Sequence, residues 1–307
     1  MKSMCFAFPG QGSQVPGMGR EFAEDKECCA LFERADDALS LGLTKLMWGE
    51  DADTLTRTEN AQPALLVCGL VALDYLQRQA GKNVADMAAF VAGHSLGEYT
   101  AAAAAGGMGF DRAVKLVRLR GEAMLRSGAE GSMSAILGLE PEVADRVATE
   151  CGVVFANDNS AGQAIFSGPV EALEKAEEAA KAAGAKRALR LNVAGPFHTP
   201  MMMPAADEVS AYLRAHELAD LAVPCIMNAA AEPKQLAADV AEGLVAQVTG
   251  RVRWRESMIL AAEQGVTRVV ELGVGKVLGG LASRCDNRLN GVSLQNRADV
   301  DAFLASV

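Results

Sequence analysis

Short apolar runs that end in glycine recur along the chain, and helical patterns separate them. One run is Met4–Phe8, a second covers residues 87–93, and a third covers residues 266–273. Runs of this length without polar alternation are typical of strands that a parallel sheet buries on both faces. The pattern is helical up to about residue 80, with a strongly apolar helix at 62–77. This order predicts an α/β fold with a parallel sheet.

The pattern changes between residues 131 and 193, where strands alternate with helices in the order βαββαβ. This is the order of a small ferredoxin-like domain. We therefore expect a large α/β-hydrolase-like domain with a parallel sheet, formed by residues 1–130 and 197–307, and an inserted ferredoxin-like domain at 131–196. The six segments are "GSMSAILGL", "EPEVADRVATE", "VVFAND", "QAIFSG", "PVEALEKAEEAAKAAG" and "AKRALRLNV".

Charge and cysteine content narrow the class of protein. The 307 residues include 29 basic and 39 acidic side chains, a net charge of −10, which disfavours nucleic acid or an anionic membrane as the main partner. The seven cysteines are odd in number and lack CxxC spacing, so we expect neither a disulfide framework nor a metal site. With no 18-residue apolar run and no signal-peptide core, we expect a cytoplasmic protein.

The most informative short stretch is "AGHSLGEYT", which contains Gly-x-Ser-x-Gly at Gly93, Ser95 and Gly97. An apolar run precedes it and an alanine-rich helical stretch follows, which is the context of a nucleophile elbow. Small residues on both sides of the serine let the turn pack closely, and the hydroxyl is exposed at a helix N-terminus. An ordinary glycine-rich turn between a strand and a helix is the alternative.

A serine hydroxyl needs a base, and the chain has only three histidines. His94 adjoins Ser95 and should point to the opposite side, so we interpret it as structural. His216 lies near a helix end, where a solvated side chain is expected. His198 follows a Gly-Pro turn where the chain re-enters the large domain, and a residue there can face a cleft between domains. His198 is therefore the best candidate, and a backbone carbonyl could orient it in place of a carboxylate.

Arg120 lies on the apolar face of a predicted helix. A buried guanidinium is costly unless it has an anionic partner. The partner could be a substrate carboxylate, or Arg120 could form a structural salt bridge or extend its stem to solvent. The apolar or small residues of the same stripe are Ala113, Leu116, Val117, Gly121 and Met124.

With these residues, the chain closely resembles the malonyl-CoA:acyl-carrier-protein transacylases of bacterial fatty-acid synthesis, over nearly its whole length. Ala161 and Val274 stand where that family often has proline. The matching motifs, in order, are "FPGQGSQ" (8–14), "QPALL" (62–66), "GHSLGEY" (93–99), Arg120 in "RLRG", "NSAGQ" (159–163), "GAKRAL" (184–189), "PFH" (196–198), "VRW" (252–254) and "GVGKVL" (273–278).

The resemblance implies that Ser95 becomes malonylated, that His198 is its base and that Arg120 pairs with the malonyl carboxylate. It implies no cofactor or metal. The substrates would be malonyl-CoA and the phosphopantetheinylated acyl carrier protein, with the carrier serving fatty-acid or polyketide synthesis.

The resemblance also assigns three supporting groups. The backbone N–H groups of Gln11 and Leu96 would form an oxyanion hole, and the Gln247 carbonyl would orient His198, although Gln247 taken alone could be a surface glutamine. From their positions beside the base and the nucleophile, Phe197 and Leu96 should leave little room for a branched acyl group. We therefore expect malonyl to be preferred over methylmalonyl.

Two other functions share part of this pattern. An esterase or thioesterase would use Ser95 and His198 but would not need Arg120, and the chain has no "HGGG"-type oxyanion stretch. A non-catalytic regulator that binds acyl-CoA would not need both reactive side chains.

Overall fold

The computed structural model describes residues 3–128 and 130–306, and its strands form two sheets. A six-stranded sheet has the order β10-β9-β1-β2-β7-β8, and a four-stranded sheet has the order β4-β5-β3-β6. The strands of these described residues are β1 (Met4–Phe8), β2 (Phe90–Gly93), β3 (Gly131–Leu137), β4 (Val154–Ser160), β5 (Gln163–Pro169), β6 (Arg187–Arg190), β7 (Cys225–Met227), β8 (Glu232–Lys234), β9 (Arg268–Leu272) and β10 (Asn290–Leu294).

Helices cover both sheets. Within the same residues they are α1 (Lys26–Leu39), α2 (Leu43–Trp48), α3 (Ala52–Thr56), α4 (Thr58–Ala80), α5 (Val84–Met87), α6 (Leu96–Ala104), α7 (Phe110–Ser127), α8 (Pro141–Cys151), α9 (Val170–Ala182), α10 (Met203–Ala215), α11 (Ala237–Thr249), α12 (Trp254–Glu263), α13 (Val277–Cys285) and α14 (Arg297–Leu304). Short 3₁₀ turns lie at Phe22–Glu24 and Pro200–Met202. None of these helices is both long and apolar enough to cross a membrane.

The large sheet is parallel except at one edge, which confirms the predicted α/β class. Only β8 runs antiparallel, against β7. The central strand β1 is buried on both faces because Phe6 and Phe8 enter one core and Cys5 and Ala7 enter the other. This alternation explains why the strand is apolar throughout.

The small sheet has the predicted ferredoxin-like arrangement. All its pairings are antiparallel, its strands lie between Gly131 and Arg190, and the strands of the large sheet come from before and after this segment. Helices α8 and α9 pack on one face and enclose an apolar core of their own. The domain boundaries at 130 and 197 stay a prediction.

The small sheet is attached to the large one through β4. Asp158 N–H donates to the Val252 carbonyl at 2.9 Å, and Val252 N–H donates to the Ala156 carbonyl at 2.8 Å. Arg255 grips the buried Asp158 carboxylate with two nitrogens, Nε at 3.0 Å and Nη2 at 2.7 Å. This fixed strand carries Asn157 toward the space between the sheets.

The register of the large sheet brings two loops together. Phe8, the last residue of β1, pairs with Gly93, the last residue of β2, so both strands end at the same level. The loops that follow them therefore meet at the carboxyl edge of the sheet, where α/β proteins bind ligands. The start of α6 packs closely against the end of β1, because a Cβ atom at Gly97 would lie 2.0 Å from the Phe8 carbonyl oxygen.

We predict that Gly97→Ala destabilises the protein by more than about 3 kcal/mol, because the added methyl group would overlap backbone that cannot move aside. Gly280→Ala is the matched control, since a Cβ atom at this helical glycine meets nothing within 4 Å. It should be neutral or slightly stabilising. Urea denaturation of both variants measures the difference, and equal midpoints would contradict the close-packing argument.

Candidate active site

Ser95 lies at the predicted sharp turn between β2 and α6. Its backbone has φ 51° and ψ −108°, a conformation that non-glycine residues rarely adopt. Serine at a helix N-cap usually accepts a hydrogen bond from the first turn, but the Ser95 side chain makes no such bond. The strained backbone and a hydroxyl that does not cap its own helix indicate a functional serine.

His198 approaches Ser95 from the other side of the cleft. Its Nε2 atom lies 2.8 Å from Ser95 Oγ, and its Nδ1 atom lies 2.7 Å from the Gln247 carbonyl oxygen. A carbonyl can only accept, so Nδ1 carries the proton and Nε2 is free to accept from the serine hydroxyl. His198 is thus arranged as a base, and its own backbone is left-handed, with φ 61°.

The surroundings keep the His198 imidazole neutral. Burial, together with the nearby Arg120 charge, lowers the pKa of His198 to about 3. A neutral imidazole can accept the serine proton, whereas an imidazolium cannot.

Arg120 is buried, at 1% exposed, and its guanidinium points at the reactive pair. Nη1 donates to Gln62 Oε1 at 2.8 Å, while Nη2 donates to Gln247 Oε1 at 2.9 Å and to Ser95 Oγ at 3.1 Å. The Tyr99 ring lies beneath the guanidinium, with its centroid 5.0 Å from the guanidinium carbon. Arg120 forms no salt bridge with any carboxylate of the described residues, and its Nε atom has no hydrogen-bond partner among them. The structural salt bridge and the solvent-extended stem are both absent.

Gln247 is completely buried on α11, so the interpretation as a surface glutamine is wrong. Its carbonyl accepts from His198, its side-chain oxygen accepts from Arg120, and its Nε2 donates to the Ser95 carbonyl at 2.7 Å. One residue therefore connects all three groups singled out from the sequence.

The remaining predicted site residues line one cavity of about 440 Å³ that contains Ser95. Gln11 lies in the loop after β1, and its side chain donates to Thr58 Oγ1 at 3.2 Å. Leu96 is the first residue of α6, where backbone N–H groups lack intrahelical acceptors. Phe197, 6% exposed, forms part of the apolar wall.

The other two histidines lie where the sequence placed them. His94 Nε2 lies 2.7 Å from Asn159 Oδ1, and the His94 ring packs against Trp254 at a centroid distance of 5.8 Å. Its ring bridges the two sheets and makes no contact with Ser95 Oγ, as expected for a structural residue. His216 is exposed at the end of α10.

Sequence reasoning missed three polar residues of the site. Gln62, which holds Arg120, lies in the "QPALL" motif and could have been found there. Asn157 lines the cavity through the attachment of β4. Asn228 lies directly after β7 and hydrogen-bonds the elbow, and the sequence around it, "IMNAAA", gives no signal of this contact.

A serine on a strained strand-to-helix elbow, with a neutral histidine on its hydroxyl, defines an enzyme of the serine-nucleophile class. Residues 5–278 match the acyl transferase domain family, and the chain belongs to that family.

Named relatives match the chain over its full length. It is 41% identical to the malonyl CoA-acyl carrier protein transacylase of Bacillus subtilis strain 168, covering 100% of this chain and 98% of the relative. It is 37% identical to the protein of the same name from Escherichia coli K12, covering 99% of each.

Solved structures show the same architecture. The acyl-carrier-protein S-malonyltransferase of Bartonella henselae superimposes with a TM-score of 0.96 at 39% identity, covering 100% of this chain and 99% of the other. A malonyl-transacylase solved in complex with a type II polyketide-synthase acyl-carrier protein gives a TM-score of 0.95 at 36% identity, covering 100% of both chains.

We predict that His198 stays neutral, with its proton on Nδ1, from about pH 8 to about pH 5, because its pKa of about 3 lies far below the usual value of about 6.5. Nitrogen-15 NMR of labelled histidines measures protonation and tautomer directly. The spectrum of His198→Gln identifies the resonance. An imidazolium signal that appears for His198 near pH 6 would contradict the expectation.

Proposed function

We propose that the protein transfers the malonyl group of malonyl-CoA to the phosphopantetheine thiol of an acyl carrier protein, through a malonyl ester on Ser95. The observation that carries the proposal is the buried Arg120 guanidinium, which forms no salt bridge within the described residues and lies 3.1 Å from Ser95 Oγ. A carboxylate at the far end of the acyl group would supply the missing negative charge. The names of the relatives and the carrier-bound neighbour support the same substrates.

In the first half-reaction, Ser95 Oγ attacks the thioester carbonyl carbon of malonyl-CoA while His198 Nε2 takes the hydroxyl proton. The carbonyl oxygen becomes an oxyanion, which the backbone N–H groups of Gln11 and Leu96 stabilise. The C–S bond then breaks, the imidazolium returns its proton to the CoA sulfur, and the malonyl group remains as an ester on Ser95. The Gln247 carbonyl holds the imidazole in the required tautomer.

The second half-reaction repeats these steps with the carrier thiol as nucleophile. His198 takes the thiol proton, the sulfur attacks the ester carbonyl, and the proton passes to Ser95 Oγ as the ester bond breaks. The enzyme returns to its starting state, so the kinetics are ping-pong. The reacting groups are side chains and backbone amides, and we propose that the reaction needs no cofactor and takes place in the cytoplasm.

Arg120 selects the acyl group in this proposal. A planar guanidinium can bind a carboxylate through two parallel hydrogen bonds, and Gln62 and Gln247 fix its orientation from both sides. Phe197 and Leu96 restrict the same cavity beside the reactive pair, which favours malonyl over an acyl group branched at the α-carbon.

Incubation with malonyl-CoA should leave a stoichiometric malonyl adduct on the wild-type protein, seen by intact mass and located on Ser95 by peptide mapping. Ser95→Ala should give no adduct, and Ser127→Ala, a serine at the far end of α7, is the control. Addition of holo acyl carrier protein should then move the malonyl group to the carrier. Release of free malonate instead would identify a hydrolase, and an adduct on Ser95→Ala would remove Ser95 from the mechanism.

Arg120→Ala should lower kcat/KM for malonyl-CoA at least about a hundredfold, because a desolvated charge pair of this kind contributes on the order of 2–5 kcal/mol. Transfer from acetyl-CoA, which has no carboxylate, should hold steady or improve. Both substrates are measured on the same folded variant.

Arg118→Ala is the matched control, since Arg118 lies on the same helix but is partly exposed and pairs with Glu122. It should leave both activities within about twofold, because its partners are Glu122, the Glu59 carbonyl and Asn60, none of which the proposal places in the site. Parallel loss of malonyl and acetyl transfer in Arg120→Ala, with a lower Tm, would mean that Arg120 is structural.

A further inference from the structure

The strained elbow needs something to hold it. The Ser95 backbone is in a sparsely populated conformation, and such residues persist only where their surroundings over-determine them. Two hydrogen bonds are local: Gly97 N–H donates to the His94 carbonyl at 2.9 Å, and Glu98 N–H donates to the Ser95 carbonyl at 3.1 Å. These bonds close the turn at the helix side. At the strand side, His94 N–H donates to the Phe8 carbonyl at 3.0 Å, which leaves the Ser95 N–H and the Gly93 carbonyl to another partner.

That partner is Asn228, a fully buried residue directly after β7, the strand that pairs with β2. Ala92 pairs with Ile226, so Asn228 lies level with the elbow. Its Oδ1 accepts from Ser95 N–H at 2.7 Å, and its Nδ2 donates to the Gly93 carbonyl at 2.7 Å. One side-chain amide thus binds both peptide groups that flank His94, directly before the strained Ser95.

The orientation of this amide is fixed by its partners. Ser95 N–H can only donate and the Gly93 carbonyl can only accept, so a flipped amide would lose both bonds. The Asn228 backbone is also occupied: its carbonyl accepts from Arg253 N–H at 3.0 Å, and its N–H donates to Glu98 Oε2.

Glu98 links Asn228 back to the helix that begins at the elbow. It lies in the first turn of α6, the helix that the elbow begins, and it is fully buried. Its Oε2 atom accepts from the Asn228 N–H, and its Oε1 atom has no hydrogen-bond partner in the described part of the chain. Burial raises the pKa of Glu98 to about 8, which favours a neutral carboxyl at pH 7. Glu98, a buried acid that is costly to the fold, thus contacts Asn228, the residue that holds Ser95.

We propose that Asn228, supported by Glu98, is a positioning residue of the transfer reaction: it holds Ser95 so that Oγ reaches His198 and the Leu96 N–H faces the cavity. The assignment rests on the proposed function, since it concerns the acylation of Ser95. Asn228 touches neither the acyl group nor the base and acts through the backbone of the nucleophile.

Loss of the amide should therefore affect acylation much more than binding. Without it the Ser95 N–H and the Gly93 carbonyl lose their partner and the elbow is held less firmly, and displacement of a reacting atom by about 1 Å can cost about a hundredfold in rate. Arg120 and Phe197 bind the acyl group from other elements, so binding should persist. Asn228→Ala should lower kcat about a hundredfold while KM for malonyl-CoA stays within about threefold.

Substitutions at Asn228 and Glu98 separate the contributions of the individual hydrogen bonds to kcat. Asn228→Asp keeps an acceptor for Ser95 N–H and loses the donor to Gly93, so its kcat should lie between those of Asn228→Ala and the wild type. Glu98→Gln keeps an oxygen that can accept from Asn228 N–H, whereas Glu98→Leu does not. Glu98→Leu should be about tenfold slower than Glu98→Gln, the value of one hydrogen bond. These variants also provide the test if Asn228→Ala does not fold.

Asn60→Ala is the matched control for a general structural effect. Asn60 is another buried asparagine that uses both ends of its amide, donating to the Thr54 carbonyl at 2.8 Å and accepting from Arg118 Nη1 at 2.8 Å. It should lower Tm about as much as Asn228→Ala and change kcat less than about threefold. Equal kcat loss in both variants would overturn the proposal.

A second readout separates this proposal from the proposed function. The rate at which a fluorophosphonate labels Ser95 depends on the serine–histidine geometry and not on malonyl recognition. It should fall in Asn228→Ala in parallel with kcat. If the wild type takes no malonyl group but the labelling rate still falls in Asn228→Ala, the proposed function fails and the positioning role of Asn228 is supported. If folded Asn228→Ala is labelled at the wild-type rate, the positioning role of Asn228 is overturned.

Discussion

The direct contact of helix α6 with the backbone of β1 is the constraint on which the site depends. Gly97 allows it, because any side chain there would overlap the Phe8 carbonyl. The contact pins the start of α6 to the central strand, so Ser95 must complete the turn in a strained conformation. It also sets the first turn of α6, and with it the Leu96 N–H, beside the loop that carries Gln11. The positions of the nucleophile and of the proposed oxyanion donors thus depend on this one packing contact.

A second constraint is the buried charge. Arg120 is surrounded by two glutamine oxygens, a serine hydroxyl and an aromatic ring, which satisfy part of the guanidinium without neutralising it. Glutamine oxygens are well suited to this task, because they hold the cation in place and leave its charge available. A carboxylate in their place would stabilise the fold more strongly and would compete with an anionic ligand. The protein retains a site of uncompensated positive potential where the acyl group is proposed to bind.

The sequence predicts the parts of this site that depend on local pattern. Periodicity placed β1, α6 and α7, and the position of Arg120 on an apolar stripe was sufficient to predict its burial. The role of Gln247 could not be obtained that way, because its carbonyl, its side-chain oxygen and its amide nitrogen serve three partners that only the packing of α11 brings together. The role of Asn228 was even less predictable from the sequence. Its function depends on the register of β7 against β2, and a three-residue strand carries too little pattern to fix a register.

The two constraints meet at His198. Its pKa is lowered first by burial and then by the Arg120 charge, so the imidazole is a neutral but weak base. In the proposed mechanism a malonyl carboxylate neutralises part of that charge, and the imidazole becomes a stronger base when the correct substrate is bound. An acyl-CoA without a carboxylate brings no such compensation and meets the weaker base. Arg120 would then discriminate in the chemical step as well as in binding. Arg120 lies within hydrogen-bond distance of Ser95. In the proposed mechanism its charge therefore accounts for both substrate recognition and activation of the base.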